Sequence, residues 1–424
     1  MNLRHLIPFF DTTAHDWSIE ARLLRWLTFV WVFIGLAMVF SASYAVADAE
    51  QGDGLYYFKL QIVWVLIGLV GFNLLVHTPV RFIIGVADWV LLLVLGLILV
   101  TLIPGVGILV NGSSRWLFIG PFPLQPSELI KPFLVLQSAR IFSQWDRLRW
   151  SIRFTWLGIF LVVVAAVLLQ PNLSTAALCG MMLWLVALGA GLPYIQLGGT
   201  ALAGLLVVAL SVSLRSYQLR RILSFLNPWA DPHGDGYQLI QSILAVASGD
   251  AWGTGFGLSQ QKLFYLPIQY TDFIFAVFAE EFGFLGCLML LIMLAVYATL
   301  ALRVALKAST TVHRLIAIGI MVLLIGQSLL NIGVATGVLP TTGLPFPLLS
   351  YGGSSMISSL IAAGLLIRVA RESGEAKVVR LDDHRNNRQP VTLKSRVVKR
   401  SRSVSEGESL QESPRISKIP RRAT

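Results

Sequence analysis

Ten apolar stretches, most of them long enough to cross about 30 Å of hydrocarbon as a helix, constrain this chain more than any other feature. They fall near residues 24–46, 58–77, 82–103, 127–142, 152–169, 174–190, 193–212, 272–302, 313–337 and 350–370. The two near 127 and 174 are short, and their ends are the least defined. Inside a bilayer every backbone N–H and C=O needs a partner within the protein, and a helix supplies them all along its own axis. The chain is 55% hydrophobic and 13% charged, against roughly 25% charged residues in a soluble domain. The sequence therefore predicts an all-α, polytopic membrane protein of ten transmembrane helices. Its first stretch starts too far from Met1 and runs too long for a cleaved signal, so it is expected to be retained. Cys179 and Cys287 both lie within expected spans; they read as small packing residues, without a disulfide or metal framework.

Short cytoplasmic loops carry an excess of Lys and Arg. With the N-terminus inside, Arg22, Arg25, Arg81, Arg140, Arg147, Arg149, Arg153, Arg303, Lys307, Arg314, Arg368 and Arg371 all fall on that side. An even number of spans then makes both termini cytoplasmic. Three regions result: a short segment 1–21, a ten-helix domain 22–371 with a large extracytoplasmic loop at about 213–271, and a tail 372–424. The tail holds 13 Lys or Arg against 7 Asp or Glu, +6 of the chain's +11. Its composition is that of a disordered extension that touches anionic membrane lipids; docking of a partner is the sharper alternative. It has no aromatic residue to stack on a base, which argues against nucleic acid as a partner.

Charges beside the expected spans are the candidates for chemistry, because an ionisable group there is costly. Asp272 ends the run from Gly257 through Thr271 and opens a span at the outer boundary. On a continuous helix, Glu280 would lie about 80° around and about 12 Å along from it, and Glu281 on the opposite side, so Asp272 has no near carboxylate on its own helix. The outer loop Pro104–Pro126 delivers Arg115, Trp116 and Gln125 to the start of another span, where Ser127, Glu128 and Lys131 follow. Ser127 reads as a helix start. Glu128 and Lys131, three apart, share a face and neutralise each other, either as a tolerated ion pair or as one wall of a polar cavity.

The loop from Ser213 to Thr271 opens with Leu219, Ile222, Leu223 and Leu226 at helical spacing, with Arg215, Arg220 and Arg221 off the stripe. This predicts an amphipathic helix in the membrane interface, its arginines anchoring to headgroups or binding a lipid-linked phosphate. Asp231, His233 and Asp235 suggest a metal site, yet the surrounding turn residues explain them equally. Gly253-Thr-Gly-Phe-Gly257 lacks the context of a nucleotide loop, and reads as flexibility or close backbone approach. Ser259-Gln-Gln-Lys262 has the spacing of penicillin-recognising enzymes without their partner motifs. Finally, Ser350-Tyr351-Gly352-Gly353-Ser354-Ser355 enters the last span, offering either a phosphate site at a helix N-terminus or a close helix crossing through small residues.

Taken in order, Arg115-Trp116 with Gln125-Pro-Ser127-Glu128-Leu-Ile-Lys131, Gln261-Lys-Leu-Phe-Tyr-Leu-Pro267, Thr271-Asp272-Phe-Ile-Phe-Ala276 with Glu280-Glu281, and Ser350-Tyr-Gly-Gly-Ser-Ser355 resemble the motif set of the SEDS family of bacterial division and elongation proteins. The resemblance covers about residues 20–370. The wording before Thr271 is closer to the division branch. It implies a SEDS-type fold and a peptidoglycan glycosyltransferase that polymerises lipid II on the outer face of the cytoplasmic (inner) membrane, at the division septum for that branch. By match to the family motif Asp272 would be the catalytic carboxylate. Arg115, Glu128 and Lys131 would line the cavity, with Trp116, Gln125, Ser127, Thr271, Ser354 and Ser355 completing the substrate-binding set. A divalent cation, Mg or Mn, could help with the leaving pyrophosphate, but no ligands for it are evident. The implied partners are a class B penicillin-binding protein of the FtsI type and other division proteins.

Two departures stand out. Where the family commonly has Leu-Pro-Glu-x-His-Thr-Asp, this chain has Leu266-Pro-Ile-Gln-Tyr270-Thr-Asp272, and where it has Pro-Asp-x-Gly-Thr, this chain has Pro171-Asn172-Leu-Ser-Thr175. An elongation polymerase, a lipid II flippase and a scaffold are the rival readings; a transporter would favour inverted repeats and broken helices.

Overall fold

A computed structural model describes residues 17–110, 113–120 and 122–386. Through Val379 the chain is one compact unit; a second, Arg380–Thr424, is described only to Asn386 and is helical there. The helices are α1 (Ile19–Gln51), α2 (Tyr56–His77), α3 (Val80–Thr101), α4 (Pro126–Ser143), α5 (Trp150–Leu169), α6 (Leu173–Ala190), α7 (Tyr194–Leu214), α8 (Ser216–Leu226), α9 (Tyr237–Ser248), α10 (Ile274–Lys307), α11 (Thr311–Met321), α12 (Gln327–Ala335) and α13 (Gly353–Asn386). A π-helical segment, Val322–Gly326, joins α11 to α12. Among the described residues nine helical segments are long and apolar enough to span a bilayer. The expected tenth is α4, whose 18 residues include Glu128, Lys131 and Arg140, and which lies among α3, α5, α6 and α11.

Local chemistry sets the ends. Ser18 caps α1 by accepting from Ala21 N–H, and Gly52 closes it at φ 68°. Asn172 caps α6 and Gly191 ends it at φ 81°, the left-handed position that glycine takes without penalty. Pro132 inside α4 has no N–H to give the carbonyl of Glu128; that carbonyl accepts from Ser358 Oγ at 2.8 Å instead. α13 is the most enclosed span, with 89% of its apolar window buried, and α7 the least, at 11%. α7 therefore has mostly lipid to face.

Several expectations change. The loop ahead of α4 is a small antiparallel sheet, β1 (Ile108–Val110), β2 (Ser113–Ile119) and β3 (Phe122–Leu124), in the order β1-β2-β3, so the protein is predominantly, not wholly, helical. Gln125 is the N-cap of α4 and Pro126 its first residue, which places Ser127 inside the first turn; a proline already preset for helix at that point moves the start one residue ahead of the serine. α13 stays helical to Asn386, into the stretch whose composition reads as tail; residues 387–424 lie outside the described residues, as do 1–16.

The largest change is in α10, which is broken at Gly283 (φ 64°, ψ −165°). A break strands carbonyls on one side and N–H groups on the other. One loop satisfies both: Thr254 N–H donates to Glu280 O at 2.9 Å and Gly255 N–H to Glu281 O at 3.0 Å, while Phe284 N–H donates to Asp250 O at 2.8 Å and Leu285 N–H to Ala251 O at 3.1 Å. Added Cβ atoms at Gly249, Gly253 or Gly283 would strike backbone across this crossing. Close approach, not flexibility, explains these glycines. Gly253→Ala, with a positive φ and the Glu281 carbonyl in its way, should lower the thermal unfolding temperature in detergent by several degrees or prevent folding; Gly204→Ala, with nothing within 4 Å, should leave it unchanged.

Candidate active site

Arg140 with Asp88, Lys307 with Glu20, and Glu372 with Arg368 and His313 tie one end of the helix bundle, where the expected cytoplasmic charges gather. At the other end β2, the loop before α10 and the loop before α13 converge. The loop before α10 has no regular structure, so side chains hold it. Glu280 accepts from Ser259 Oγ, from Gln260 N–H at 2.8 Å and from Gln261 N–H at 3.3 Å. Glu281 pairs with Lys262 at 2.7 Å, and Lys262 also donates to Ser41 Oγ of α1 at 2.8 Å. Both glutamates are buried. They clamp the loop that delivers Asp272, a part they play only because the chain folds back on the broken helix.

Asp272 lies in the turn ahead of α10, not on the helix, so the expected angular relation to Glu280 does not apply. Its backbone is pinned from three sides. Asn331 Nδ2 of α12 donates to Asp272 O at 2.7 Å and to Leu344 O at 2.9 Å; Ser350 Oγ donates to Thr271 O; Tyr351 N–H donates to Tyr270 O at 2.9 Å. The carboxylate accepts no hydrogen bond from a described residue. Burial pushes it up to about 6, Arg221 and then Arg115 opposing that rise and Glu128 adding to it. Arg221, on α8, lies over the Tyr217 ring at 4.7 Å and donates to Thr341 O at 3.2 Å. Arg115 donates from Nε to Gln170 O at 2.9 Å and from Nη2 to Pro171 O at 2.6 Å, leaving the rest of its fork of donors. Burial, then the like charge of Arg221, holds the Arg115 guanidinium below its usual value. Two cations thus share the field of one carboxylate.

Glu128 and Lys131 pair at 2.6 Å with side chains only 4% and 1% exposed. Both side chains are almost wholly enclosed. Lys131 also reaches Gln327 Oε1 at 3.1 Å, and Gln327 Nε2 donates to Pro345 O at 2.7 Å. The pair thereby anchors the loop before α13 through α12, just after the π-helical segment, a device that recurs at functional sites. Gln125 N–H donates to Ser354 Oγ at 2.8 Å and its amide to Ser127 Oγ at 3.4 Å, joining the α4 and α13 starts. Ser355 is buried in the first turn of α13. Trp116 sits on β2 opposite Ile108, and Thr271 Oγ1 turns back to Ile268 O at 3.2 Å. Asn331, Gln327 and Arg221 complete the site beyond the expected set. The first two carry a signal, amides four apart in an apolar span.

The expected amphipathic helix is α8, its Leu219, Leu223 and Leu226 exposed. Asp231 accepts from Gly234 and Asp235 N–H, both at 3.1 Å, and Asp235 faces Arg220; the turn and an ion pair account for them. The donor set around Asp272 does not suit a protein-held cation. Two guanidinium groups face it, Glu128 is neutralised by Lys131, and no group of three His, Cys, Asp or Glu forms a metal site among the described residues.

Known proteins match along most of the chain. The family model described as cell cycle protein, FtsW/RodA/SpoVE, matches residues 21–375. A probable peptidoglycan glycosyltransferase FtsW of Synechocystis sp. is 55% identical over 89% of this chain and 96% of its own. Stage V sporulation protein E of Bacillus subtilis is 38% identical over 83% of this chain and 97% of its own, as aligned over 367 residues. Among solved structures, a chain from a peptidoglycan synthase complex that coordinates polymerization and crosslinking superposes with TM-score 0.65 and 32% identity, covering 82% of this chain and 97% of that one. The rod shape determining protein RodA of Thermus thermophilus superposes with TM-score 0.60 and 29% identity, covering 82% and 96%.

Lys131→Met should strand a buried Glu128 charge and destabilise the protein by about 3 to 5 kcal/mol. Adding Glu128→Leu should return most of that loss, as read by thermal unfolding in detergent.

Proposed function

Because the chain belongs to the FtsW/RodA/SpoVE family of cell cycle proteins, we propose that it is a peptidoglycan glycosyltransferase that polymerises lipid II for septal wall synthesis, with Asp272 as its general base. The observation that carries the assignment of Asp272 is a carboxylate that accepts no hydrogen bond from a described residue, pinned through its backbone and in the field of Arg115 and Arg221. Asp272 takes the proton of the acceptor 4-hydroxyl as that oxygen forms its bond to the anomeric carbon of the donor. The bond from that carbon to the pyrophosphate breaks, the leaving oxygen keeps the electron pair, and the anomeric centre inverts. Arg115 and Arg221 stabilise the charge that develops on the pyrophosphate, as donors already in position before that charge forms. Glu128 and Lys131, as a neutral pair, hold the surrounding loops. The site faces the extracytoplasmic side, since the opposite end carries the cytoplasmic charges, and a class B penicillin-binding protein of the FtsI type crosslinks the strands it makes. Residues 22–371 act as the catalytic domain, with 372–424 as a basic cytoplasmic tail.

A general base works as its carboxylate. With burial raising Asp272 to about 6, the rate should be low below that pH, half-maximal near it, and level above; Asp272→Asn should abolish this limb. In lipid II polymerisation by purified protein with its crosslinking partner, Asp272→Asn should cut the rate by about 10² to 10⁴-fold while unfolding at the wild-type temperature. Equal glycan ladders from both would remove Asp272 from the mechanism. Arg221→Gln should lower kcat by about 10²- to 10³-fold, of the order found for loss of one charge-stabilising donor, with the ladder still formed.

A further inference from the structure

Four tyrosines meet beside Asp272 and take no part in the mechanism above. Tyr57 and Tyr270 stack at 4.9 Å between ring centroids, 23° from parallel; Tyr351 meets Tyr57 edge-on at 5.2 Å and Tyr270 at 5.6 Å; Tyr56 meets Tyr57 at 5.4 Å. They come from three separate segments, the start of α2 and the loops before α10 and α13. Tyr56 is 39% exposed, and Tyr57, Tyr270 and Tyr351 are partly exposed. Tyr270 precedes Asp272 by two residues, a backbone span of at most about 7 Å. It also stands where the sequence departs from the family pattern.

We propose that this tyrosine cluster is the acceptor sugar subsite, a platform on which a pyranose ring of an N-acetylated amino sugar lies with its hydroxyl turned to Asp272; it rests on the glycosyltransferase reading above. A pyranose ring shows polarised C–H bonds on its faces and hydroxyls at its rim. The C–H face packs against an electron-rich aromatic face, whose quadrupole is negative. The rim needs polar partners, and the cluster has them: Tyr57 OH donates to Glu50 Oε2 in the last turn of α1 at 2.6 Å, and Asp53, between α1 and α2, pairs with Lys59 of α2 at 2.8 Å. Tyrosines of a membrane-interface belt sit at the level of the headgroups; these also stack on one another and are fastened at Tyr270 O by Tyr351 N–H. The acceptor is favoured over the donor because Asp272 takes the acceptor's proton, and because the donor pyrophosphate belongs to Arg115 on β2 and Arg221 on α8.

Two measurements on the full chain in detergent test this. Saturation-transfer NMR with a soluble N-acetylglucosaminyl-N-acetylmuramic acid disaccharide should carry magnetisation from protein aromatic protons to the sugar ring protons. It should be lost in Tyr270→Leu and kept in Tyr270→Trp. In lipid II polymerisation, Tyr270→Leu should raise KM by about tenfold, the upper range for an aromatic contact, with a smaller fall in kcat, and Tyr270→Trp should recover it. Should Tyr270→Leu unfold, Tyr56→Ala at the exposed ring decides, with KM raised severalfold. An unaltered KM in both variants, or no saturation transfer to the disaccharide in wild type, overturns the platform. Transfer to the disaccharide from a wild type that makes no polymer would sink the glycosyltransferase reading and leave sugar binding standing.

Discussion

The outer half of the protein depends on the broken backbone of α10. A helix interrupted among apolar neighbours leaves donors and acceptors that water cannot reach, each costing several kcal/mol. Here the residues after α9 supply the missing partners in both directions across Gly283. Once that crossing forms, the chain from Thr254 onward must run over the end of the first α10 segment, where Glu280 and Glu281 are waiting with buried carboxylates. Charges so enclosed need partners, and Ser259, the amides of Gln260 and Gln261, Lys262 and Ser41 provide them. The irregular loop is thus as constrained as a helix.

That constraint matters for Asp272 in the role proposed for it, because a general base must be held within hydrogen-bond reach of its proton. Asp272 is not fixed by its own carboxylate, which is left available, but by backbone bonds from Asn331 and by the Ser350 and Tyr351 contacts on its neighbours. The enclosed Glu128–Lys131 pair reaches the same loop before α13 through Gln327. Polar side chains within the spans therefore serve the site at one remove, holding loops whose own sequences have no regular structure. The arginines differ in kind: Arg115 spends two donors on carbonyls of the α5–α6 connection, and Arg221 one on Thr341, so their positions are set while donors remain for an anion.

Much of this was legible in the chain. Hydrophobic length alone located ten stretches, because a bilayer admits few other solutions, and their starts agree with those of α1–α7, α10, α11 and α13 to within a few residues, α11 and α12 sharing one stretch. The amphipathic α8 was visible in its leucine spacing, and Asp272 in the cost of a charge at the edge of a span. Polar amides at Gln327 and Asn331 were equally open to reading, since i and i+4 share a helix face. The three-stranded sheet around Arg115 and the break at Gly283 had no pattern to announce them.

Sequence by itself determined the class of protein and the residue types available for chemistry, for both follow from one-dimensional quantities, hydropathy over a window and charge within it. Tertiary structure decided which of those residues meet. Arg221 and Asp272 lie fifty-one residues apart along the chain, and Glu281 and Ser41 two hundred and forty; their coming together depends on how helices pack and where a loop must go to satisfy a broken backbone. No local propensity encodes such distances, because they arise from the requirement that every buried polar group find a partner.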